Sequence, residues 1–256
     1  MKGINWVGFS TLTLREVGRF FSVYRQTILP GLISTTLYIL VFGFTFQSRI
    51  SEIGGVPYTL FILPGLIMMN TLTNASSNTA SSMIQMKLLQ QVPDLLQAPL
   101  SSLEISLAFI IGGAVRGIIN GLLVLILGIF LVGLPIDQFW FTLGYIILVS
   151  WSFAAMGLVL GQMADTWDQL AMMQNFFLTP LSFLGGIFYS IKMLPGWAQN
   201  LSFFNPIYYM INGLRYTILG ISDSSPLTSF FVALLMTTIF TSAAILLMRS
   251  GKKLKQ

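Results

Sequence analysis

The 256-residue chain is 55% hydrophobic and only 8% charged, with a mean hydropathy of +0.81. A soluble domain carries about a quarter charged residues, so this composition is that of an integral membrane protein, sized for a single membrane domain. It has no Cys and no His, which excludes disulfides, thiol nucleophiles, the usual metal ligands and the usual neutral-pH proton shuttle.

The formal net charge of +5 is not read as a nucleic-acid signature, because the cations follow membrane topology. The expected fold class is an all-α integral membrane protein of six transmembrane helices forming one domain over residues 1–256. An amphipathic interfacial helix precedes the spans, and re-entrant outer helices precede the last one.

Residues 5–25 repeat Val17, Phe20, Phe21, Tyr24 and Ile28 at helical spacing, with Arg15, Arg19, Ser22 and Gln26 on another side. With Trp6 and Phe9, the pattern predicts a helix lying in the cytoplasmic interface, its basic side toward anionic headgroups. Lys2, Arg15, Glu16, Arg19 and Arg25 interrupt any apolar core here, so no removable signal peptide is expected.

Six spans follow, at about 27–47, 58–82, 105–131, 139–162, 170–190 and 227–248, each near the roughly 20 residues a hydrocarbon core requires. With both termini inside, Lys2, Arg15, Arg19, Arg25, Lys87, Arg249, Lys252, Lys253 and Lys255 are cytoplasmic. Only Arg49, Lys192 and Arg215 lie outside, and Arg116 sits within a span. That bias sets the orientation in a cytoplasmic membrane.

The second span turns polar halfway, reading NTLTNASSNTASS over 70–82. Asn70, Asn74 and Asn78 share one helix face, which either bonds other helices or lines a hydrated path.

A break over 87–104, KLLQQVPDLLQAPLSSLE, carries Lys87, Asp94, Glu104, three Gln and two Pro, yet also Leu88, Leu89, Leu95, Leu96, Leu100 and Leu103. Ser101-x-x-Glu104 is a capping-box signature, and Pro99 ends a short helix expected over about 88–98. An apolar-sided helix across the cytoplasmic face is shaped for docking onto a partner.

The third span repeats Gly113, Gly117 and Gly121, a small-residue stripe for close packing. Its Arg116 either snorkels to the headgroups, pairs with an interfacial acid, or contacts an anionic substrate. A short turn bearing Asp165 and Asp168 joins the fourth span to the fifth, which contains Pro180. Residues 191–226 are too aromatic for an aqueous loop, with Trp197, Phe203, Phe204, Tyr208, Tyr209 and Tyr216. A seventh span would put the basic tail outside. Two short helices broken at Asn205–Pro206 and re-entering the outer half are expected instead, with aromatic residues at the interface.

The run FFLTPLSFLGGIFYSIKMLP (176–195), then Trp197, Asn205-Pro206-Ile207-Tyr208-Tyr209 and Gly213-Leu214-Arg215, resembles the permease subunits of ABC-2 type ABC transporters. LLQAPLSSLEI (95–105) resembles that family's loop between the second and third spans. The resemblance runs over essentially the whole chain. It implies an exporter of two permeases, here a homodimer, with two copies of an ATP-binding cassette subunit that hold the ATP and Mg.

On that basis 87–104 becomes the coupling region, with Leu88, Leu89, Asp94, Leu95, Leu96, Glu104, Arg15 and Arg19 toward the ATPase. Leu95, Leu96 and Asp94 are the expected docking surface. Asn70, Asn74, Asn78, Arg116, Asn175 and Phe176 belong to the path or its interhelical contacts, with spans two and five of facing protomers lining it. Trp197, Asn205, Pro206, Tyr208, Tyr209 and Arg215 form the outer region. Drug-resistance and nodulation-type permeases look nearest, and an amphipathic drug, lipid or glycan is the substrate class implied.

The chain itself lacks G-x-x-x-x-G-K-[ST]; its one Gly-Lys pair, Gly251-Lys252, is followed by Lys253. The alternative is an ion-gradient-driven secondary transporter, which would want an acid or His within a span, yet all eight acids lie at ends or in loops. An intramembrane enzyme lacks a nucleophile–base pair, and a channel lacks a ring-forming filter motif.

Overall fold

The structure is a computed structural model that describes residues 5–45 and 52–251. Lys2, Arg49, Lys252, Lys253 and Lys255 of the charge pattern lie outside the described residues, as does the end of the first expected span.

Helix α1 (Trp6–Ser22) starts at Asn5, whose side chain accepts from Gly8 N, and breaks at Val23. Helix α2 (Tyr24–Tyr38) continues directly into a π-helical turn, Ile39–Phe44. A two-residue hairpin, β1 (Glu52–Ile53) against β2 (Val56–Pro57), turns through Gly54 and Gly55 in the left-handed region that glycine favours. Helix α3 (Tyr58–Leu88) is followed by the short α4 (Val92–Gln97), then α5 (Ser102–Val132) and α6 (Phe139–Met163). Helix α7 (Trp167–Leu184) leads through a 3₁₀ turn (Ile191–Met193) to α8 (Gly196–Phe203), α9 (Pro206–Leu219) and α10 (Pro226–Ser250).

Four helical stretches among the described residues are long and apolar enough to cross a membrane: Tyr24–Gly43, Ser102–Val132, Phe139–Met163 and Pro226–Ser250. The chain is therefore an all-α membrane protein. Helix α3 is absent from that set for a physical reason. It is the innermost helix, and its polar half is mostly covered by protein apart from one half-exposed stripe, so it has no need of an all-round apolar surface.

The small-residue stripe on α5 finds its partner there. A Cβ on Gly113 would sit 2.5 Å from Thr79 Cγ2, and one on Gly117 would sit 2.7 Å from Ala75 Cβ. On α6, Gly157 lies on Ser76 and Thr79, and Gly161 on Ala80 and Met83. Thr79 Oγ1 donates to Ala154 O at 2.7 Å, an interhelical bond made possible by that approach. In α3, Thr71, Ala75, Ser76, Thr79 and Ala80 are thus the face that admits two neighbours at backbone distance.

Pairings at the two ends fix the order of the bundle. At one end lie the start of α1, the α3–α5 connection and the α6–α7 turn, since Asn5 N donates to Glu104 Oε1 and Lys87 Nζ reaches Ala164 O. At the other, Asp137 N donates to Ile218 O, and Ser190 Oγ to Asp223.

Candidate functional site

The helix in this connection, α4, is shorter than the expected 88–98 helix. Helix α3 runs on through Leu88, Gln90 reverses the chain at φ 56°, and Pro93 near its first position starts α4. The capping box is present: Glu104 N donates to Ser101 Oγ at 3.2 Å, and Ser101 N donates to Glu104 Oε2 at 2.6 Å. The same carboxylate takes the backbone N–H of Asn5 at 2.7 Å. Asn5 also caps α1 and donates to Pro99 O at 3.2 Å, so one acid ties the starts of two helices together. Glu104 is turned inward to these donors rather than outward to a partner.

The leucines divide. Leu88, Leu89, Leu96 and Leu103 are exposed, as is Asp94. Leu95, expected on the docking surface, is only 8% exposed and belongs to the core with Val92. In so short a helix adjacent residues stand about 100° apart, so Leu95 and Leu96 do not share a face.

Lys87 anchors the region from beneath. Its Nζ donates to Gln162 O at 3.2 Å and Ala164 O at 2.6 Å, and bridges to Asp165 at 3.1 Å. It thereby caps the last carbonyls of α6.

Helix α1 buries the line Leu12–Glu16–Phe20 against α5, while Trp6, Val7, Leu14 and Phe21 stay exposed. The expectation that Arg15 and Arg19 both face headgroups needs correcting for Arg19. Its guanidinium folds onto α3, donating to Asn78 O, to Asn78 Oδ1 at 3.2 Å and to Ser81 Oγ at 3.4 Å. The cause is Glu16, fully buried over Gly112, which accepts from Ser82 Oγ at 2.7 Å and lies 3.8 Å from Arg19 Nε. Burial pulls the Arg19 guanidinium below its ordinary range, with Glu16 opposing that shift and Arg15 adding to it. Arg15 is exposed and lies 3.7 Å from Met86 Sδ.

On α3, Asn70, Thr73, Asn74 and Ser77 form a half-exposed polar stripe, whereas Asn78 is buried under Arg19. Asn70 Nδ2 donates to Thr35 Oγ1 at 2.8 Å, and Asn74 Nδ2 to Asn70 O at 3.0 Å. Arg116 turns sideways onto this stripe, its Nε and Nη2 donating to Asn74 Oδ1 at 3.2 and 3.1 Å. A cavity of about 340 Å³ opens there between α2, α3 and α5. Asn175 and Phe176 stand apart from it, exposed on α7. Exposed α2 and α7, more than α3, carry the open lateral surface: in α2 only Thr35 is buried.

At the far end, Asn205 caps α9 by accepting from Ile207 N at 3.0 Å and ties back to Leu181 O at 2.6 Å, with Pro206 as the first residue of α9. Trp197 is exposed and Tyr209 half-buried, but Tyr208 and Arg215 are core residues rather than interfacial ones. The Arg215 guanidinium lies 3.9 Å above the Phe61 ring and donates to Gly186 O at 2.8 Å.

Residues 7–219 match the family model described as ABC-2 type transporter. The chain belongs to the ABC-2 type transporter family. It is 37% identical over 255 residues, the full length of both chains, to the inner membrane transport permease YadH of Escherichia coli K12. It is 24% identical over 224 residues to nodulation protein J of Rhizobium leguminosarum bv. viciae, covering 85% of this chain and 83% of that one. Against nodulation protein J of Sinorhizobium fredii the identity is 23% over 194 residues, 75% and 74% of the two chains.

This ABC-2 protein is accordingly a multi-pass inner-membrane transport permease. Membership of the family implies an ATP-binding-cassette partner. Three residues that organise the end of the permease around Lys87 and Glu104 escaped the sequence reading in their roles: Glu16, Ser82 and Asp165. Glu16 is the acid that interrupts the apolar line of α1, and that interruption is the one local signal of a buried polar partner.

Proposed function

We propose that this permease is the membrane-spanning subunit of an ATP-driven exporter, working as a pair of copies with two ATP-binding subunits. Six helices cross the bilayer in this reading: α2, α3, α5, α6, α7 and α10, with both termini cytoplasmic. Helices α8 and α9 re-enter the outer half. The path for an amphipathic lipid-like, drug or glycan cargo runs between copies, along α2, α7 and the polar stripe of α3. ATP and Mg belong to the partner subunit, lipid surrounds the spans, and no nucleic acid is involved.

The observation that carries this reading is the exposed leucine set Leu88, Leu89 and Leu96 beside Asp94, on an element clamped by Lys87 and Glu104. Exposed leucines at a water-facing turn lose contact with solvent only by meeting a partner. Rigid attachment lets ATPase closure move α4 and α1 together, and with them the spans.

The test is to extract tagged protein in mild detergent and identify the ATP-binding protein that accompanies it. Wild type is expected to bring an ATPase at a ratio near one to one. Replacing Leu89 and Leu96 with Asp is expected to remove it without altering thermal unfolding. A clean homo-oligomer lacking any ATPase under several gentle extractions would refute the reading and favour a gradient-driven carrier.

A further inference from the structure

Arg116 lies about 21 Å along α5 from its first residue at a rise of about 1.5 Å per residue, near mid-helix in a segment apolar enough to span. A cation at that depth needs an anionic or strongly polar partner. The structure supplies a neutral one. Nε and Nη2 both use the single acceptor Asn74 Oδ1, and among the described residues no carboxylate stands within ion-pair distance. Snorkelling does not relieve this. Gly117 abuts Ala75 and Thr71, so Asn74 is level with Arg116 and the guanidinium reaches across rather than toward the membrane surface.

The arrangement is also preorganised. Asn74 donates its amide to Asn70, which leaves its Oδ1 committed to Arg116, and Asn70 is held by Thr35 on α2. One edge of the guanidinium, Nε with Nη2, is thus fixed, while Nη1 has no hydrogen bond among the described residues. It borders a cavity of about 340 Å³, at the small end of ligand-sized sites. Gln26, Ser34 and Thr73 add polar groups to the wall, and Leu66, Met69 and Tyr38 add apolar ones. A fork of donors beside hydroxyls and an apolar rim suits a head group with an anionic oxygen attached to a chain.

We propose that this cavity receives the anionic head group of the transported amphiphile, with Arg116 as its counter-charge. The proposal rests on the exporter reading above and narrows its cargo from amphipathic to anionic amphipathic. Asn74 is a positioning residue that aims the guanidinium.

The test uses full-length protein with its copurifying ATPase, and fluorescent lysophosphatidylglycerol as the anionic probe against lysophosphatidylcholine. Wild type is expected to prefer the anionic probe by about tenfold, the scale of one charge-assisted contact. Arg116→Gln should abolish the preference and Arg116→Lys should keep part of it. Asn74→Asp supplies an internal carboxylate, so it should also abolish the preference while retaining Arg116. Arg25→Gln, at an exposed position near the start of α2, should leave it unchanged.

Persistence of the preference in both Arg116→Gln and Asn74→Asp, or its equal loss in Arg25→Gln, overturns the assignment. So does anionic binding without ATP-driven transfer in reconstituted vesicles, which marks a resident lipid. An ATPase that copurifies while the preference is absent leaves the exporter reading standing and removes this one. A missing ATPase with the preference intact does the reverse to the exporter reading and takes the cargo assignment with it.

Discussion

Gly157 offers the sharpest test of the helix packing that supports the permease. A methyl group there would press on the Ser76 carbonyl oxygen and Thr79 Oγ1 and would stand 2.7 Å from Ser76 Cα, where ordinary contact begins near 3.4 Å. Backbone atoms cannot rotate away, so α6 and α3 must separate by several tenths of an ångström or more. That separation also stretches the Thr79–Ala154 bond of 2.7 Å. Overpacking of this kind costs about 1–3 kcal/mol, against a gain of about 1 kcal/mol from replacing a helical glycine by alanine. The expected net effect of Gly157→Ala is a loss of up to about 2 kcal/mol. Gly144 lies on the same helix with nothing within 4 Å of its added Cβ, so Gly144→Ala should be neutral or stabilising by up to about 1 kcal/mol. Thermal unfolding of the detergent-purified protein, followed by Trp fluorescence, reads both. Equal behaviour of the two variants, or stabilisation by Gly157→Ala, would refute the close approach of α3 and α6.

Lys87→Met keeps the stem but strips the donors from Gln162 O and Ala164 O, and should lower stability by about 2 kcal/mol in the same assay. Glu104→Gln should loosen the start of α1, read as faster amide exchange over residues 5–12 with the spans unaffected. Asn205→Ala removes a helix cap and the donor to Leu181 O, a loss of about 1–2 kcal/mol expected to appear as local unfolding of α8 and α9.

Much of the architecture is legible because local rules decide it. Ser101 and Glu104 announce the start of α5, and Asn205–Pro206 announces that of α9, through side chains and ring closure that act within a few residues. The stripe Gly113–Gly117–Gly121 declares a close contact but withholds its partner, since small size is needed on both sides and the identity of the other helix is a matter of tertiary arrangement. Leu95 and Leu96 defeated the pattern because a six-residue helix is too short for periodicity to tell which of two neighbours faces in. Arg19 and Arg215 were placed by charge alone, toward headgroups and toward the outside. Glu16 lies only three residues from Arg19 on the same helix, but the other partners, Asn78 for Arg19 and Phe61 with Gly186 for Arg215, are distant in sequence and invisible to any short window.

Helix α3 has a mechanical consequence. It is 31 residues long, about 46 Å at 1.5 Å per residue. At one end Lys87 grips the α6–α7 turn; at the other Tyr58 donates to Phe188 O at 3.0 Å, Gly65 abuts the Ile187 backbone, and Phe61 lies under Arg215. Such a rod is gripped at both tips and largely buried between them. On the proposed coupling, a thrust delivered beside α4 would be carried along this shaft toward the Gly185–Ile191 bend and the base of α9, with Pro64 inside the helix as the point along it where a backbone hydrogen bond is missing.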